Sequence, residues 1–280
     1  MTPRRLTLGH SPDADDAFMF FGLAAGRVET RGWTFEHVLQ DIQTLNDRAV
    51  RGELDITAIS IHAYPYVARH YALTNCGASV GDGYGPLIVA REAMAPEALR
   101  GRRIAVPGKT TTAYLALSLR LGPGAFEPEV VPFDQILSHV AEGKADAGLI
   151  IHEGQLTYSA HRLHAVLDLG VWWKELTGLP LPLGGNCIRR DLGPAAMLEV
   201  AGILKAGIEY SLAHRVEALA HALQYARGLA PDCADRFVGM YVNDWTLDWG
   251  DAGRRAVREL LRRGHEAGIV PAIPSVDFVG

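Results

Sequence analysis

The chain has 280 residues, of which 48% are hydrophobic and 21% charged, with a formal net charge of −5. That length exceeds one usual hydrophobic core and predicts two compact lobes. An acidic balance with no basic stripe to neutralise phosphates excludes general nucleic-acid binding.

Cys76, Cys187 and Cys233 are isolated, match no metal-ligand spacing and suit a reducing compartment. The basic start, Arg4-Arg5, is not followed by the apolar core of a secretory signal. No run approaches the ~18–20 consecutive apolar residues that cross a bilayer. A cytoplasmic protein without membrane insertion is expected.

In chain order, short apolar runs alternate with helical patterns, as in βαβ units. Strands are expected at residues 5–9, 34–39, 56–60 and 87–91, with helices over 16–25 and 42–51 and a helical turn over 64–71. A short connector at 96–100 leads to strands at 103–106, 129–132 and 147–151, separated by helices over 112–121 and 133–142. Strands at 163–169 and 181–189 flank a helix over 171–177, and helices follow over 194–214, 216–229, 232–241 and 253–266. Crossings near 90–103 and 181–190 predict one lobe from 1–92 plus 190–280 and a second from 93–189. A cleft between two such lobes is a preferred site for a small ligand.

Six segments can carry chemistry. Ala147-Gly-Leu-Ile-Ile-His152-Glu153 is a buried-strand pattern ending in an imidazole beside a carboxylate. Carboxyl ends of strands in open α/β sheets face the ligand crevice, and an imidazole there can exchange protons or simply be hydrogen-bonded. Gly9-His10-Ser11-Pro12-Asp13-Ala14-Asp15-Asp16 joins a strand to a helix, and its carboxylates serve either as caps or as ligand contacts. Ser60 ends a strand, and His62 beside it faces the cleft or caps locally. Val106-Pro107-Gly108-Lys109-Thr110-Thr111-Thr112-Ala113 opens a helix with N–H groups, hydroxyls and Lys109, a receptor for a carboxylate or phosphate or a plain threonine cap. The glycine-rich run from Gly77 to Gly85 suits a loop hugging a ligand, and Trp172-Trp173 suits stacking on a flat ligand or core packing. No G-x-S-x-G elbow, Walker loop or zinc-type histidine pair is present, so neither metal nor cofactor is expected.

Together these segments resemble the 1,4-dihydroxy-6-naphthoate synthase family of the futalosine route to menaquinone. The resemblance rests on Ser11-Pro12…Asp16-x-Phe18, Asp41-Ile42-x-x-Leu45-Asn46, Ser60, Gly85-Pro86-Leu87, the Val106–Tyr114 run, Ile151-His152-Glu153 and Thr177-Gly-Leu-Pro-Leu-Pro-Leu-Gly184. It implies an α/β, two-lobed, type II periplasmic-binding-protein-like fold with a central ligand cleft. It implies a carbon–carbon lyase that converts cyclic dehypoxanthine futalosine, a small carboxylate, to the naphthoate with release of a three-carbon fragment. The family's base falls on His152. Substrate contacts fall on Ser11, Asp16, Ala58, Ser60, Thr111, Thr112, Ala113 and Glu153. The usual opening is Ser-Pro-Cys-Pro-Asn-Asp, where this chain has Asp13, Ala14 and Asp15. A lysine usual two residues before the binding serine is Ala58 here. The competing readings are a non-catalytic solute-binding protein of the same fold and the sister dehydratase of that route.

Overall fold

The computed structural model describes residues 4–226, 229–272 and 275–280. Arg4–His10 forms β1, whose inward Leu6 and Leu8 are buried while its first two residues stay in water. It runs into α1 (Ala14–Met19) and α2 (Phe21–Ala24), then β2 (Trp33–Leu39), α3 (Ile42–Val50) and the fully buried β3 (Ile56–Ser60). After α4 (Tyr64–Val67) come three short strands, β4 (Tyr71–Thr74), β5 (Ser79–Gly81) and β6 (Leu87–Ala90). The next unit contains β7 (Arg103–Val106), α5 (Thr112–Leu121), β8 (Glu127–Val130), α6 (Ile136–Ala141) and β9 (Ala147–Ile150). α7 (Gly154–Thr157), β10 (His164–Asp168) and α8 (Leu169–Thr177) lead to the nine-residue β11 (Leu181–Arg189). The chain ends in α9 (Pro194–Ala213), α10 (Arg215–Ala222), α11 (Pro231–Tyr241), α12 (Asp244–Leu247), α13 (Gly250–Glu266) and β12 (Phe278–Val279).

Two sheets result, one per lobe. The larger has the order β12-β4-β11-β3-β1-β2 with β5 attached to β11, and the smaller the order β10-β6-β9-β7-β8. Parallel pairs β1–β2, β1–β3, β7–β8 and β7–β9 fit the βαβ pattern, whereas β11 and β6 run antiparallel to their neighbours. The architecture is α/β and two-lobed, as expected.

Two strands change sheets relative to the expected division at 92/93 and 189/190. β6 joins the smaller sheet through Leu87↔Ile150 and Ala90↔Ala147, and β11 joins the larger one through Gly184↔Ser60 and Ile188↔Ile56. An apolar run buried on both faces does not name its partner strand, so the crossings move to 82–86 and 178–180. β4, β5 and β12 have no counterpart in the sequence reading. The helix expected over 16–25 is broken at Phe20. The helix expected over 216–229 ends at Ala222, and its residues 227 and 228 lie outside the described residues.

α13 shows how the tail is fastened. Gly253, Ala256, Val257, Leu260, Leu261 and Gly264 recur at i, i+3, i+4 spacing on its buried side. Trp249 at its start is fully buried and donates its indole N–H to Thr74 O at 3.0 Å. Gly264 lets this helix approach Leu115 of α5, tying the C-terminal segment to the second lobe. Among the described residues no helix is long and apolar enough to cross a membrane.

Candidate active site

His152 lies two residues beyond β9, with a left-handed φ of 55°. Such a backbone is disfavoured by about 1 kcal/mol or more for a residue with a Cβ. The turn lets α7 start at once and aims the imidazole across the cleft. There Nδ1 meets Asp13 Oδ2 at 2.9 Å, and the ring lies against Phe133 with centroids 4.7 Å apart.

Asp13 arrives from the other lobe as the N-cap of α1. Its Oδ1 accepts from Asp16 N, leaving Oδ2 for the histidine. Asp16 Oδ2 in turn accepts from Ser11 N at 2.6 Å. Three carboxyls thus crowd one helix start, and burial acts on all of them. For Asp13, burial would raise the pKa, but the His152 charge and hydrogen bond outweigh it and hold the carboxyl far below its ordinary range. For Asp16, burial and the Asp13 charge push it up to about 8. Asp15 is raised well above the ordinary value by burial and then by both neighbouring carboxylates. His152 is pulled down by burial but more strongly up by Asp13, so its net shift is upward.

An ionised carboxylate only accepts, so His152 Nδ1 carries the hydrogen and Nε2 holds the lone pair when the ring is neutral. Among the described residues, His152 Nε2, Asp15 Oδ1 and Ser11 Oγ are buried atoms with no hydrogen-bond partner. All three residues line one cavity of about 110 Å³. That volume is several times what a single water needs, so the cavity suits a small organic molecule. Asp13, Asp15 and His152 bring donor atoms within 4.8 Å of one another, the spacing of a cation site. Asp13 and His152 already satisfy each other, and we assign no ion there.

A second part of the wall is built on the start of α5, which follows β7, the parallel neighbour of the strand that leads to His152. Thr111 caps it, its hydroxyl accepting from Tyr114 N and donating to Gly108 O. Thr112 Oγ1 donates to Leu183 O at 2.6 Å and accepts from His62 N at 3.1 Å. Both hydroxyls are therefore committed to the protein. What this wall offers a ligand is the unfilled first-turn N–H groups of a ten-residue helix. Beside it, Asn46 Nδ2 donates to Ser60 Oγ at 3.1 Å and to Thr110 O at 3.3 Å, while Ser60 N donates to Asn46 Oδ1 at 2.8 Å. The Ser60 hydroxyl hydrogen stays available to a ligand.

Ser11, Asp16, Ala58, Ser60, Thr111, Thr112, Ala113 and His152 all line this cavity. Glu153 does not. Its carbonyl accepts from Leu156 N, and its charge helps raise His152. Lys109 is exposed and is not a lining residue, and among the described residues the lining contains no Lys or Arg. Trp173 is fully buried with its N–H on Pro180 O, and neither tryptophan of the pair lines the cavity. His62 is buried under the α5 start, with Nδ1 donating to Thr111 O at 3.0 Å. Gly77 does line the cavity. Its φ is +79°, and a Cβ there would lie 2.0 Å from Asn186 Nδ2.

Sequence reasoning placed Asp13 among the departures from a family pattern and missed it as the partner of His152. It also left out Asn46, Gln155, Asn186 and Tyr241. Tyr241 donates to Gln155 Oε1 at 2.8 Å, another link from the C-terminal helices to the second lobe. Only Asn46 and Gln155 had a local signal, one within the Asp41–Asn46 run and one a helical turn after His152.

Two sheet-based lobes closing on a shared cavity define the class, a clamp of the type II periplasmic-binding-protein kind. The alkanesulfonate-binding protein of Xanthomonas axonopodis pv. citri, solved with MOPS, has this fold at 15% identity, with TM-score 0.72 over 97% of this chain and 96% of its own. Protein AF1704 of Archaeoglobus fulgidus superposes with TM-score 0.91 at 44% identity, covering 95% of this chain and 98% of the other. A family model described as menaquinone biosynthesis matches residues 6–266. Two proteins named 1,4-dihydroxy-6-naphtoate synthase align nearly end to end. The Thermus thermophilus one is 43% identical over 98% of this chain and 99% of its own length, and the Streptomyces coelicolor one 39% identical over 98% and 97%. The chain belongs to the menaquinone biosynthesis family.

Proposed function

We propose that this chain forms 1,4-dihydroxy-6-naphthoate from cyclic dehypoxanthine futalosine in the cytoplasm, as a carbon–carbon lyase with His152 as general base. The observation that carries the reading is His152 itself, a residue lining the cavity with Nδ1 held by Asp13 and Nε2 buried without a partner.

The substrate carboxylate sits at the start of α5, where the Thr112 and Ala113 N–H groups and the Ser60 hydroxyl replace the missing cation. This holds the reacting carbon near the acid–base group of the same cavity. His152 Nε2 takes a proton from carbon next to a carbonyl. The C–H bonding pair becomes a carbon–carbon double bond, and the carbonyl π pair moves onto oxygen. Collapse of that enolate re-forms the carbonyl and breaks the bond to the three-carbon fragment, which leaves with that bonding pair and takes the proton back from His152 Nε2. The gain in aromaticity drives the step.

Mixing the protein with the cyclic futalosine derivative should yield the naphthoate by absorbance and mass. H152A should lower kcat by about 10²–10⁴-fold, the usual worth of a positioned base. No turnover by wild type, or unchanged turnover in H152A, overturns the reading. Tight binding without conversion would instead identify a solute-binding protein.

A further inference from the structure

We infer that Asp15, with the Ser11 hydroxyl beside it, is the hydrogen-bond donor for the substrate oxygen that gathers negative charge when His152 removes its proton. The inference rests on the lyase reading above and names the part of that reaction which the base alone leaves unexplained. An enolate oxygen in a cavity with no Lys or Arg among its described lining residues needs donors. Asp15 Oδ1 and Ser11 Oγ are buried atoms with no partner at hydrogen-bond geometry, on residues that line the same cavity as His152 and whose side chains reach only Asp13. Asp15 is only 8% exposed, and its carboxyl lies within 4.8 Å of the Asp13 and His152 donor atoms. The base and the donors therefore flank one small space, with the proton leaving on one side and the charge developing on the other.

A carboxyl can donate only in its acid form, and Asp15 has the surroundings that keep the proton on. It is buried beside Asp13 and Asp16 and shares a side-chain hydrogen bond with Asp13, a bond the oxyanion would take over, with the neutral phenol of Tyr241 near it and His152 already paired to Asp13. A buried acid that stays neutral at pH 7 so as to donate a hydrogen bond is an established device for stabilising an enolate. The donor moves no atoms in this step. The C–H pair passes into the new double bond, the proton goes to Nε2, and Asp15 keeps its O–H while binding the oxyanion.

D15A should lower kcat by about 10²–10³-fold with a much smaller change in KM, the usual loss for one oxyanion donor. D15N keeps an N–H donor and should recover at least tenfold of that loss. Its activity should persist at alkaline pH, where wild type fades as Asp15 ionises. Infrared difference spectra at pH 7 should show a protonated-carboxyl stretch that weakens in D15N, with D16N separating the Asp16 contribution. The naphthoate product serves as a turnover-free probe of the donors. Wild type should bind it at least tenfold more tightly than D15A, whether or not the futalosine derivative is converted. Full activity in D15A, equal probe binding, or no protonated carboxyl lost in D15N overturns the inference. So does activity that disappears on chelation and returns with a divalent ion, since the carboxyls would then be ligands.

Discussion

His152 Nδ1 and Asp13 Oδ2 stand 2.9 Å apart across the cleft, one carried by the smaller sheet and the other by the first helix of the larger lobe. The pair therefore spans the cleft and draws on both lobes. A buried charge pair is weak evidence for stability, but removing one partner leaves the other uncompensated.

For that reason D13N should damage catalysis more than binding. Asparagine can present its N–H to Nδ1 and favour the wrong tautomer, and it supplies no charge to support the imidazolium. A fall in kcat of about 10²-fold or more is expected, with KM changing far less. The pH profile gives the sign. Although burial lowers His152, the Asp13 charge raises it above 6.5 on balance, so the acid limb of kcat/KM in wild type lies above that value. D13N should move this limb below it. A profile that stays in place would remove Asp13 from the base.

Asn46 makes the second prediction. One side chain satisfies Ser60 N and Ser60 Oγ in one lobe and Thr110 O in the other. N46A leaves a buried amide and carbonyl unpaired and frees the α5 start from β3. A loss of about 2–4 kcal/mol in stability follows from two such orphaned groups. A tenfold or greater rise in KM should accompany it if the α5 start and Ser60 bind the substrate carboxylate. Thermal melting and steady-state kinetics check both, and a variant indistinguishable from wild type in each would remove Asn46 from the anchor.

Much of this site is legible in the sequence, and what escapes is pairing between distant segments. The run ending in His152 and the three threonines before Ala113 carry their own signals, because a buried strand and a capped helix are local patterns. The partner of His152 is different. Asp13, Asp15 and Asp16 all suit a helix start, and only tertiary structure decides which one crosses the cleft. The same holds for β6 and β11, whose apolar runs are plain but whose partners are not. The strand Tyr71–Thr74 is too short to show a period, and it follows directly on a helical turn. Lys109 fails for a related reason, since a turn residue next to an anion site can point either way.

Asp16 gives a stability prediction. Its folded value of about 8 lies far above the ordinary 3.8, with burial and then Asp13 as causes. Between those values the native state holds a proton that the unfolded chain has released, so this group makes stability fall as pH rises from about 4 to 8. D16N can still accept from Ser11 N through its carbonyl oxygen, without a carboxyl to ionise. Its melting temperature should match wild type near pH 4 and exceed it by several degrees at pH 8, where 1 kcal/mol is worth about 2–4 °C. A difference that does not grow with pH would contradict the buried-carboxyl account.

His62 and His10 act in the opposite sense. Burial lowers each to about 4, with His37 adding to the effect on His10 and the Thr111 carbonyl opposing it on His62. Below about 6.5 the unfolded chain takes up protons that the native histidines refuse, so stability is lost as pH falls from 6.5 towards 4. His62 donates from Nδ1 to Thr111 O beneath the α5 start, and His10 Nε2 lies 2.9 Å from His37 Nδ1. H62Q keeps a donor that does not titrate. It should therefore flatten the acid side of the stability curve while leaving the alkaline side set by Asp15, Asp16 and His152. Denaturant melts at about pH 4, 6.5 and 8, near the ends of these windows, separate the two arms. If H62Q loses stability as steeply as wild type between the first two, the neutral buried histidine is not what makes the α5 start sensitive to acid.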